Sequence, residues 1–369
     1  MDTNDTNSKE KNISDELKCS GCGAILKFKP GTHHLTCTYC GAENVIEQST
    51  ETIEEIDFEK FIKTQYEKEE KIEVVSVKCP ACGAAITLEP NVTSDHCPYC
   101  SSNIVVEGGS TSKMLKPKSL LPFAVNREKA TESFKNWIHK LWFAPSDLKQ
   151  KAAKGKLDGM YIPYWTYDAT TGTHYTGARG TYYYVTETYT TTENGQTVTK
   201  TRQVRRTSWT STSGHVNNLF DDIPVIASRS LPENYTQKLE PWNLKDLVPY
   251  NDKYLSGFRS ESYQVSIVEG LGIAKERMIP EIRSTVYKDI GGDEQRIYTM
   301  NTSYNNVTFK HILLPIWIST YRYKDKLYRF LINGQTGEVQ GERPYSAVKI
   351  LLAVLAAIAI IALVVIIAN

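Results

Sequence analysis

Eight cysteines, all that this 369-residue chain contains, fall into two groups whose spacing is typical of metal sites. The first group reads C-x2-C-x14-C-x2-C, and the second repeats that spacing 60 residues later. Four thiolates form the tetrahedral shell that a structural Zn²⁺ site prefers. The pattern predicts two structural zinc sites, one with the ligands Cys19, Cys22, Cys37 and Cys40 and one with Cys79, Cys82, Cys97 and Cys100.

The two copies agree beyond their cysteines, which indicates one structural unit used twice. Each C-x2-C pair is expected to form a tight turn, called a knuckle here, and a short β-hairpin joins the two knuckles of a unit. The residues that match at an offset of 60 are Gly23 and Gly83, Ala24 and Ala84, Pro30 and Pro90, Tyr39 and Tyr99, and Glu47 and Glu107. Ser101 stands where Gly23, Gly41 and Gly83 follow the other knuckles.

Disulfide bonds are the alternative use of these cysteines. A unit of about 30 residues is too small to fold without metal or cross-links, and Zn²⁺ supplies roughly 10–16 kcal/mol to such a unit. Disulfides require an oxidising compartment, and the polar first 18 residues lack the apolar core of a signal peptide. We therefore expect zinc in closed sites that leave no position for a catalytic water. His33 and His34 are expected to be exposed hairpin residues.

The C-terminal residues predict a membrane anchor. From Ile350 to Ala368 the chain is apolar without interruption, and Ala347 and Val348 extend the stretch. Nineteen helical residues span about 28 Å, close to the hydrocarbon thickness of a bilayer. A buried core helix is the alternative. Arg343 and Lys349 precede the span and only Asn369 follows it, so the positive-inside rule predicts a single-pass cell-membrane protein with its N-terminal bulk in the cytoplasm.

The whole chain is predicted to be an α+β multidomain protein with two zinc ribbons, a β-rich domain and one transmembrane helix. The expected parts are a disordered tail (1–17), zinc ribbon 1 (18–47), a charged helical linker (48–77), zinc ribbon 2 (78–107), a linker (108–119), a β-rich α+β domain (120–345) and the transmembrane helix (347–368). For residues 51–73 a solvated connector is favoured over a short amphipathic helix.

Strand signals dominate the β-rich region. A helix is expected in NREKATESFKNWIHKLWF and another around residues 261–287, and Asn194-Gly195 predicts the turn of a long hairpin. Pro163 and Trp165 in MYIPYWTYDA have counterparts 152 residues later in ILLPIWISTY. Either an internal duplication or a shared composition of buried strands explains this echo.

Catalytic motifs are missing from the sequence. It contains no phosphate-binding G-x4-G-K-[ST] loop, no H-E-x-x-H and no G-x-S-x-G, so we expect no enzyme. Asp221-Asp222 is interpreted as a turn or an exposed pair. The basic cluster on the hairpin is either a solvated face or a contact for anionic lipid headgroups; it contains Lys200, Arg202, Arg205 and Arg206. Neither the net charge of +1 nor the ribbons, which lack arginine, favour nucleic acid as a partner.

From about residue 78 to the end, the chain resembles a group of bacterial zinc-ribbon membrane proteins. The resemblance rests on the knuckles and on LLPF, GMYIPYWTYDA, FDDIPVIAS, LEPWNLKDLVPY, LSGF, FKHILLPIW and INGQTGEVQGERP before an apolar tail. Such proteins are often labelled TFIIB-type zinc ribbons or the replication-restart helicase PriA, a label that the missing nucleotide loop argues against. Proteins of this group are encoded beside phage-shock-protein-A-like and flotillin-like membrane-stress proteins, which implies partners of those two kinds.

The sequence therefore predicts an adaptor, anchored by its tail, that recruits protein partners at the cytoplasmic face of the membrane. A membrane-tethered regulator that binds nucleic acid is the alternative from another class, and steeply salt-dependent binding of DNA or RNA would favour it. An enzyme hidden in the β-rich region is a third possibility, which a deep pocket with convergent polar groups would favour.

Overall fold

A computed structural model describes residues 17–47, 49, 52–65, 71–87, 94–105, 110–148, 157–193, 195–324 and 326–368 of the chain. It has the predicted mixed α+β architecture: two four-cysteine groups, a large β-rich sheet and one C-terminal apolar helix. Nearly all of the predicted tail, residues 1–16, lies outside the described residues, and so does Asn194.

The first four-cysteine module is a small antiparallel sheet in the order β1-β2-β3. Its strands are β1 (Leu26–Phe28), β2 (His34–Cys37) and β3 (Glu43–Val45). Gly23 and Gly41 have φ angles of 73° and 75° and close the two knuckles by donating their N–H groups to the carbonyls of Cys19 and Cys37. A side chain at such a φ angle is strained, which explains the glycines. The predicted hairpin between two knuckles is therefore present.

The segment after this module is docked on the large sheet. It contains β4 (Ile56–Asp57), the short helix α1 (Phe58–Lys60) and a π-helical turn (Phe61–Gln65). Ile56 pairs with Phe309, and the Phe61 ring, which is buried, packs edge-on against the Phe309 ring with centroids 5.0 Å apart. The favoured interpretation of these residues as a solvated connector is wrong, because their apolar side chains bury against a strand far away in sequence.

The second four-cysteine module is built from five strands. They are β5 (Lys71–Lys78), β6 (Ala85–Thr87), β7 (Ser94–His96), β8 (Asn103–Val105) and β9 (Ser110–Leu115). The strand β5 pairs with both β6 and β9, while β7 pairs with β8. Residues 110–115, predicted to be part of a linker, therefore form a strand, because their backbone groups find partners along β5.

The large sheet has nine strands, five of which follow the order β12-β11-β15-β10-β13. In addition to β4 they are β10 (Ser119–Leu120), β11 (Leu157–Glu193), β12 (Gln196–Ile226), β13 (Val248–Pro249), β14 (Arg259–Ser260), β15 (Glu294–Tyr323), β16 (Lys326–Asn333) and β17 (Val339–Gly341). Three 3₁₀ turns lie at Gln237–Leu239, Leu244–Asp246 and Asp252–Leu255. The predicted hairpin is confirmed: Glu193 pairs with Gln196, and Gly195 has the positive φ angle, 79°, that its turn requires.

Three helices accompany this sheet: α2 (Arg127–Lys140), α3 (Glu233–Thr236) and α4 (Ile267–Ile290). The N-cap residue of α2 is Asn126, whose side chain accepts a hydrogen bond from the Lys129 N–H, and the helix buries Phe134 and Ile138. It ends before Trp142, which is exposed. The α4 helix starts at residue 267 and not near 261, because the Ser266 side chain caps it.

A local two-fold axis relates two halves of the sheet. The long strands β11 and β15 run antiparallel, and Ile162 of one pairs with Leu314 of the other. An axis through this pair carries the neighbouring residues of β11 onto residues of β15 that lie 152 positions later, so Pro163 falls on Pro315 and Trp165 on Trp317. The echo seen in the sequence is therefore also a spatial relation.

The two halves are interlocked by reciprocal hydrogen bonds. The Trp165 indole N–H donates to the Val265 carbonyl over 2.9 Å, and the Trp317 indole N–H donates to the Val125 carbonyl over 2.8 Å. Each valine directly precedes the N-cap residue of a helix, α4 or α2. Each half thus contains a short strand, a helix, a long strand and a returning strand, which favours internal duplication over shared composition.

The first hairpin extends beyond the rest of the sheet as a two-stranded arm. The β15 strand begins opposite Gly180, and among the strands that the structure describes, residues 181–193 pair only with β12. Thirteen residues in a β-strand span about 43 Å. Much of the basic cluster is paired within this arm, since Arg202 and Arg206 bind Glu187 and the Arg205 guanidinium lies 4.1 Å from the Tyr182 ring centre.

One C-terminal helix, α5 (Ala347–Ala368), is long and apolar enough to cross a membrane. Within its residues Ala347–Ile367, the most apolar window has a mean hydropathy of 3.5, and none of this window is buried. The start of α5 is tied to the rest of the chain by Lys349, whose ammonium group donates to the Ala144 carbonyl over 2.8 Å.

The reciprocal bonds predict equal effects of two substitutions. Trp165→Phe and Trp317→Phe each leave a buried carbonyl without its donor, so each should lower the free energy of unfolding by about 1–3 kcal/mol, beyond the cost of the smaller ring. Trp142→Phe, on an exposed side chain, should change it by less than about 0.5 kcal/mol. Urea unfolding of the detergent-solubilised chain measures all three. A large effect of one buried tryptophan and none of the other would contradict the reciprocal arrangement.

Candidate metal centres and their docking

The first cysteine group has the geometry of a tetrahedral metal site. The Sγ atoms of Cys19 and Cys40 are 3.5 Å apart, as are those of Cys22 and Cys37, and all four lie within 4.8 Å of one another. Four sulfurs at about 2.3 Å from one ion lie about 3.8 Å apart. The group can therefore hold a metal ion with little rearrangement.

Backbone N–H groups favour the thiolate forms that bind metal. Those of Gly21 and Cys22 lower the pKa of Cys19. Those of Cys40 and Tyr39 lower the pKa of Cys37 to about 6. Each knuckle thus turns its amides towards a sulfur, and the tight turns that the glycines permit prepare the ligands for a cation.

The second group repeats this geometry with local differences. The distances from Cys79 to Cys100 and from Cys82 to Cys97 are both 3.6 Å between Sγ atoms. Ser101 has a φ angle of 59° where the other knuckles have glycine. Its hydroxyl contacts that of Thr320 on β15, so this departure from the repeat joins the module to the large sheet.

A buried tyrosine also anchors the second module. Tyr99, between Cys97 and Cys100, is fully buried, and its hydroxyl donates to Glu261 Oε2 over 2.6 Å. The same carboxylate accepts hydrogen bonds from Ser230 and Gln264. Burial raises the pKa of Glu261 to about 7, although these donors act in the opposite direction.

The first module docks through other residues. Its β1 strand receives a hydrogen bond from the Ser256 hydroxyl at the Leu26 carbonyl, and the Phe28 N–H donates to the Ser256 carbonyl. His33 is exposed as expected, whereas His34, also expected to be exposed, is half-buried. The Nδ1 atom of His33 lies 3.0 Å from the Tyr254 hydroxyl. Both modules therefore pack against the large sheet, a point that the sequence left open.

Equivalent knuckles of the two modules have opposite environments. Tyr39 occupies the same position between its cysteines as Tyr99 but is 84% exposed, whereas Tyr99 is 0% exposed. Ile25 and Val45 of the first module are also exposed. We call Ile25, Tyr39 and Val45 the free knuckle, since most of the surface of these three side chains is exposed.

An acidic group that the sequence did not reveal lies at the start of β4. Glu55, Asp168 and Asp221 bring carboxylate oxygens within 4.8 Å of one another. The half-buried Asp168 has its pKa raised to about 6, first by burial and then by Glu55. The buried Lys310 ammonium group binds Glu55 and Asp222 at 3.3 and 2.6 Å, so a cation already accompanies these carboxylates.

Asp222, interpreted as a turn residue or part of an exposed pair, has a φ angle of 52° and binds this lysine.

A cleft of about 250 Å³ lies between α4 and residues 225–240. Its arginines are already paired, since Arg277 binds Glu240 and Arg229 binds Glu269, at 2.7 and 2.6 Å. Both arginines of this cleft are therefore neutralised by glutamates of its own lining.

Comparison with known proteins adds a relative and no functional label. No protein-family model and no solved structure matches the chain. The chain is 26% identical over 334 residues to the uncharacterized protein YdjG of Bacillus subtilis (strain 168). The match covers 90% of this chain and 91% of YdjG, so the similarity extends along most of both proteins.

The contrast between the knuckles predicts that replacing tyrosine by phenylalanine has unequal effects on stability at the two equivalent positions. Tyr99→Phe removes a donor from the buried Glu261 carboxylate and should lower the free energy of unfolding by about 1–3 kcal/mol. Tyr39→Phe, at the equivalent exposed position, should change it by less than about 0.5 kcal/mol. Urea unfolding of the metal-loaded chain compares the two variants. Equal effects would show that Tyr99 is not buried against Glu261.

The raised pKa of Glu261 predicts a pH-dependent stability. Between its ordinary value of 4.5 and the folded value of about 7, the carboxyl group releases its proton only on unfolding. The contribution of Glu261 to the free energy of unfolding should therefore fall with rising pH, by about 2 kcal/mol between pH ~5.5 and ~7, and then level off. Other buried groups also titrate in or near this range, since burial lowers the pKa of His311 to about 3 and raises that of Asp168 to about 6, so the prediction concerns a difference between two proteins. The free energy of unfolding of the wild type minus that of Glu261→Gln should fall by this amount, whereas the difference between the wild type and Glu233→Gln, at an exposed position, should not change with pH. Denaturant unfolding across this range measures both differences, and a pH-independent difference for Glu261→Gln would contradict the assignment.

Proposed function

We propose that this protein is a membrane-anchored adaptor whose first four-cysteine module binds a protein partner. The free knuckle carries this proposal. In the second module the equivalent knuckle is occupied by a protein surface, whereas Ile25, Tyr39 and Val45 remain exposed. Aromatic residues with apolar neighbours are the side chains that most often dominate protein interfaces.

The docked knuckle indicates the chemistry that a partner would offer. Tyr99 places its ring among apolar side chains, and its hydroxyl donates a hydrogen bond to a carboxylate. A partner of the free knuckle would therefore provide an apolar slot that ends in a carboxylate or another acceptor. Such an acceptor is required because burying the Tyr39 hydroxyl without a hydrogen bond is costly.

We assign zinc to both cysteine groups and give it a structural role. Four cysteine ligands in a tetrahedral array suit Zn²⁺, and they leave no position open for a substrate or a water. The metal holds each knuckle in shape, so that Tyr39 and Tyr99 project from rigid turns. No reaction step is assigned to the metal.

The membrane would be crossed by α5, with the modules in the cytoplasm. Arg343 and Lys349 flank the start of the apolar stretch, and positive residues are retained on the cytoplasmic side. Thiolate metal sites also persist in a reducing compartment. The basic residues beside α5 and the thiolate metal sites therefore both support a cell-membrane location with this orientation.

The proposed partners are phage-shock-protein-A-like or flotillin-like membrane-stress proteins, as the resemblance of the sequence implies. The alternative, a nucleic-acid-binding regulator, has less support. Binding of phosphates requires available cations, and Arg202 and Arg206 of the arm are paired with Glu187.

The test uses a variant that leaves the fold intact. Full-length wild type, Tyr39→Ala and the exposed neighbour Thr38→Ala are purified in detergent micelles with both cysteine groups metal-loaded. Binding of purified phage-shock-protein-A-like and flotillin-like proteins is then measured by biolayer interferometry. Loss of a central interface tyrosine costs about 2 kcal/mol or more, so Tyr39→Ala should weaken binding about 30-fold. Thr38→Ala should retain it.

Two results would contradict the proposal. Binding of neither protein by the wild type would remove the proposed partners, and equal binding by Tyr39→Ala would remove the free knuckle as the docking surface. Steeply salt-dependent binding of DNA by the wild type, with no binding of either protein, would support the nucleic-acid alternative.

A further inference from the structure

Two histidines face each other on an exposed face of the large sheet, far in sequence from both cysteine groups. His174 of β11 pairs directly with His215 of β12 and, on its other side, with Asn301 of β15. Two residues earlier on β11, Gly172 pairs with Asn217 and Ser303. Residues two apart on a strand share a face, so these six positions form one patch that has no part in the proposed function.

The two imidazole rings are close and exposed. Their centroids are 4.4 Å apart, with the ring planes inclined by 47°. Both histidines are exposed, and within the described parts of the chain no hydrogen bond or ion pair engages either ring. Their nitrogen atoms are thus available to a ligand from solution.

Gly172 leaves a hollow beside these rings. A Cβ atom at this position would lie 3.1 Å from His215 Nε2, 3.4 Å from Asn217 Oδ1 and 3.4 Å from Ser303 Oγ. Three polar atoms from two neighbouring strands therefore surround the space that the missing side chain leaves. Of these atoms, the imidazole nitrogen and the amide oxygen are ordinary ligands of divalent metal ions.

We propose that His174, His215 and Asn217 form a third metal site, for a divalent ion of the zinc, nickel and copper class. Neutral imidazole is a preferred ligand of these ions. With metal–nitrogen bonds of about 2.0–2.1 Å, two imidazoles on one ion place their ring centres about 4.5 Å apart at a right angle and about 5.2 Å apart at the tetrahedral angle. The observed 4.4 Å is close to the right-angled separation.

This site differs in kind from the cysteine groups. It is exposed and supplies three protein ligands, so at least one coordination position is left to water or to a side chain of another molecule. An ion bound there exchanges readily and is not required for folding. Because its imidazole ligands come from β11 and β12, the ion cross-links the two strands shortly before Gly180, where the arm begins.

The test counts metal ions on the full-length chain. The protein is purified in detergent without a polyhistidine tag, with both cysteine groups filled, and is titrated with Zn²⁺ in an isothermal calorimeter at pH ~7.5. Native mass spectrometry of the same samples gives the stoichiometry. The wild type should bind one further ion. His174→Ala and His215→Ala should each weaken this binding about tenfold or more, the loss that about 1.4 kcal/mol represents.

Three further variants locate the site. His139→Ala removes an exposed histidine on α2 and should leave the extra ion in place. Asn217→Ala should weaken it less than loss of an imidazole does. Gly172→Ala removes no ligand but places a methyl group 3.1 Å from His215 Nε2, so it should weaken binding by displacing the ring.

Hydrogen exchange supplies a second readout that does not depend on stoichiometry. Zn²⁺ should slow amide exchange in residues 172–176 and 213–217 of the wild type and of His139→Ala, but not of His174→Ala. An extra ion that binds equally well after both histidine substitutions would overturn the proposal. So would the absence of a further ion on the wild type at Zn²⁺ concentrations up to about 100 µM, a limit that corresponds to a binding free energy of about −5.5 kcal/mol.

Discussion

The antiparallel register of β11 and β15 is the constraint on which the rest of the structure depends. Pairing of Ile162 with Leu314 creates the local two-fold axis, and this axis brings each buried tryptophan to the carbonyl that precedes the opposite half's helix. The cysteine modules dock around the same centre, one on Ser256 and the other on Glu261. A shift of β15 by one residue against β11 would turn Trp317 to the other face of the sheet and remove its hydrogen bond to the opposite half.

The chain contains two repeats of different size: the two halves of the large sheet and the two cysteine modules. The copies within each repeat differ from one another in different ways. The halves of the sheet keep equivalent hydrogen bonds, so their duplication still serves stability. The cysteine modules keep equivalent metal geometry but differ at the knuckle. In the second module Ser101 and Tyr99 join it to the sheet, whereas in the first module Tyr39 remains exposed. The first knuckle is thus available for a partner at no cost to the fold.

Local patterns were sufficient to predict part of this arrangement. The cysteine spacing predicted the two groups, the apolar run predicted α5, and Asn194-Gly195 predicted the long hairpin. The features that the sequence did not predict depend on contacts between residues distant in sequence. These contacts join Phe61 to Phe309, Lys310 to Glu55, and β9 to β5. The opposite burial of Tyr39 and Tyr99 could not be predicted, because the two tyrosines have the same local motif and differ only in what packs on them.

Side-chain footprinting with hydroxyl radicals tests the central claim, that one knuckle serves the fold and the other serves a partner. It reports the exposure of Tyr39 and Tyr99 in the same sample, first in detergent and then in native membranes. The account predicts that Tyr99 is unreactive in both, while Tyr39 is reactive in detergent and protected in membranes. Equal reactivity of the two tyrosines in detergent, or a Tyr39 that is equally reactive in both settings, would contradict it.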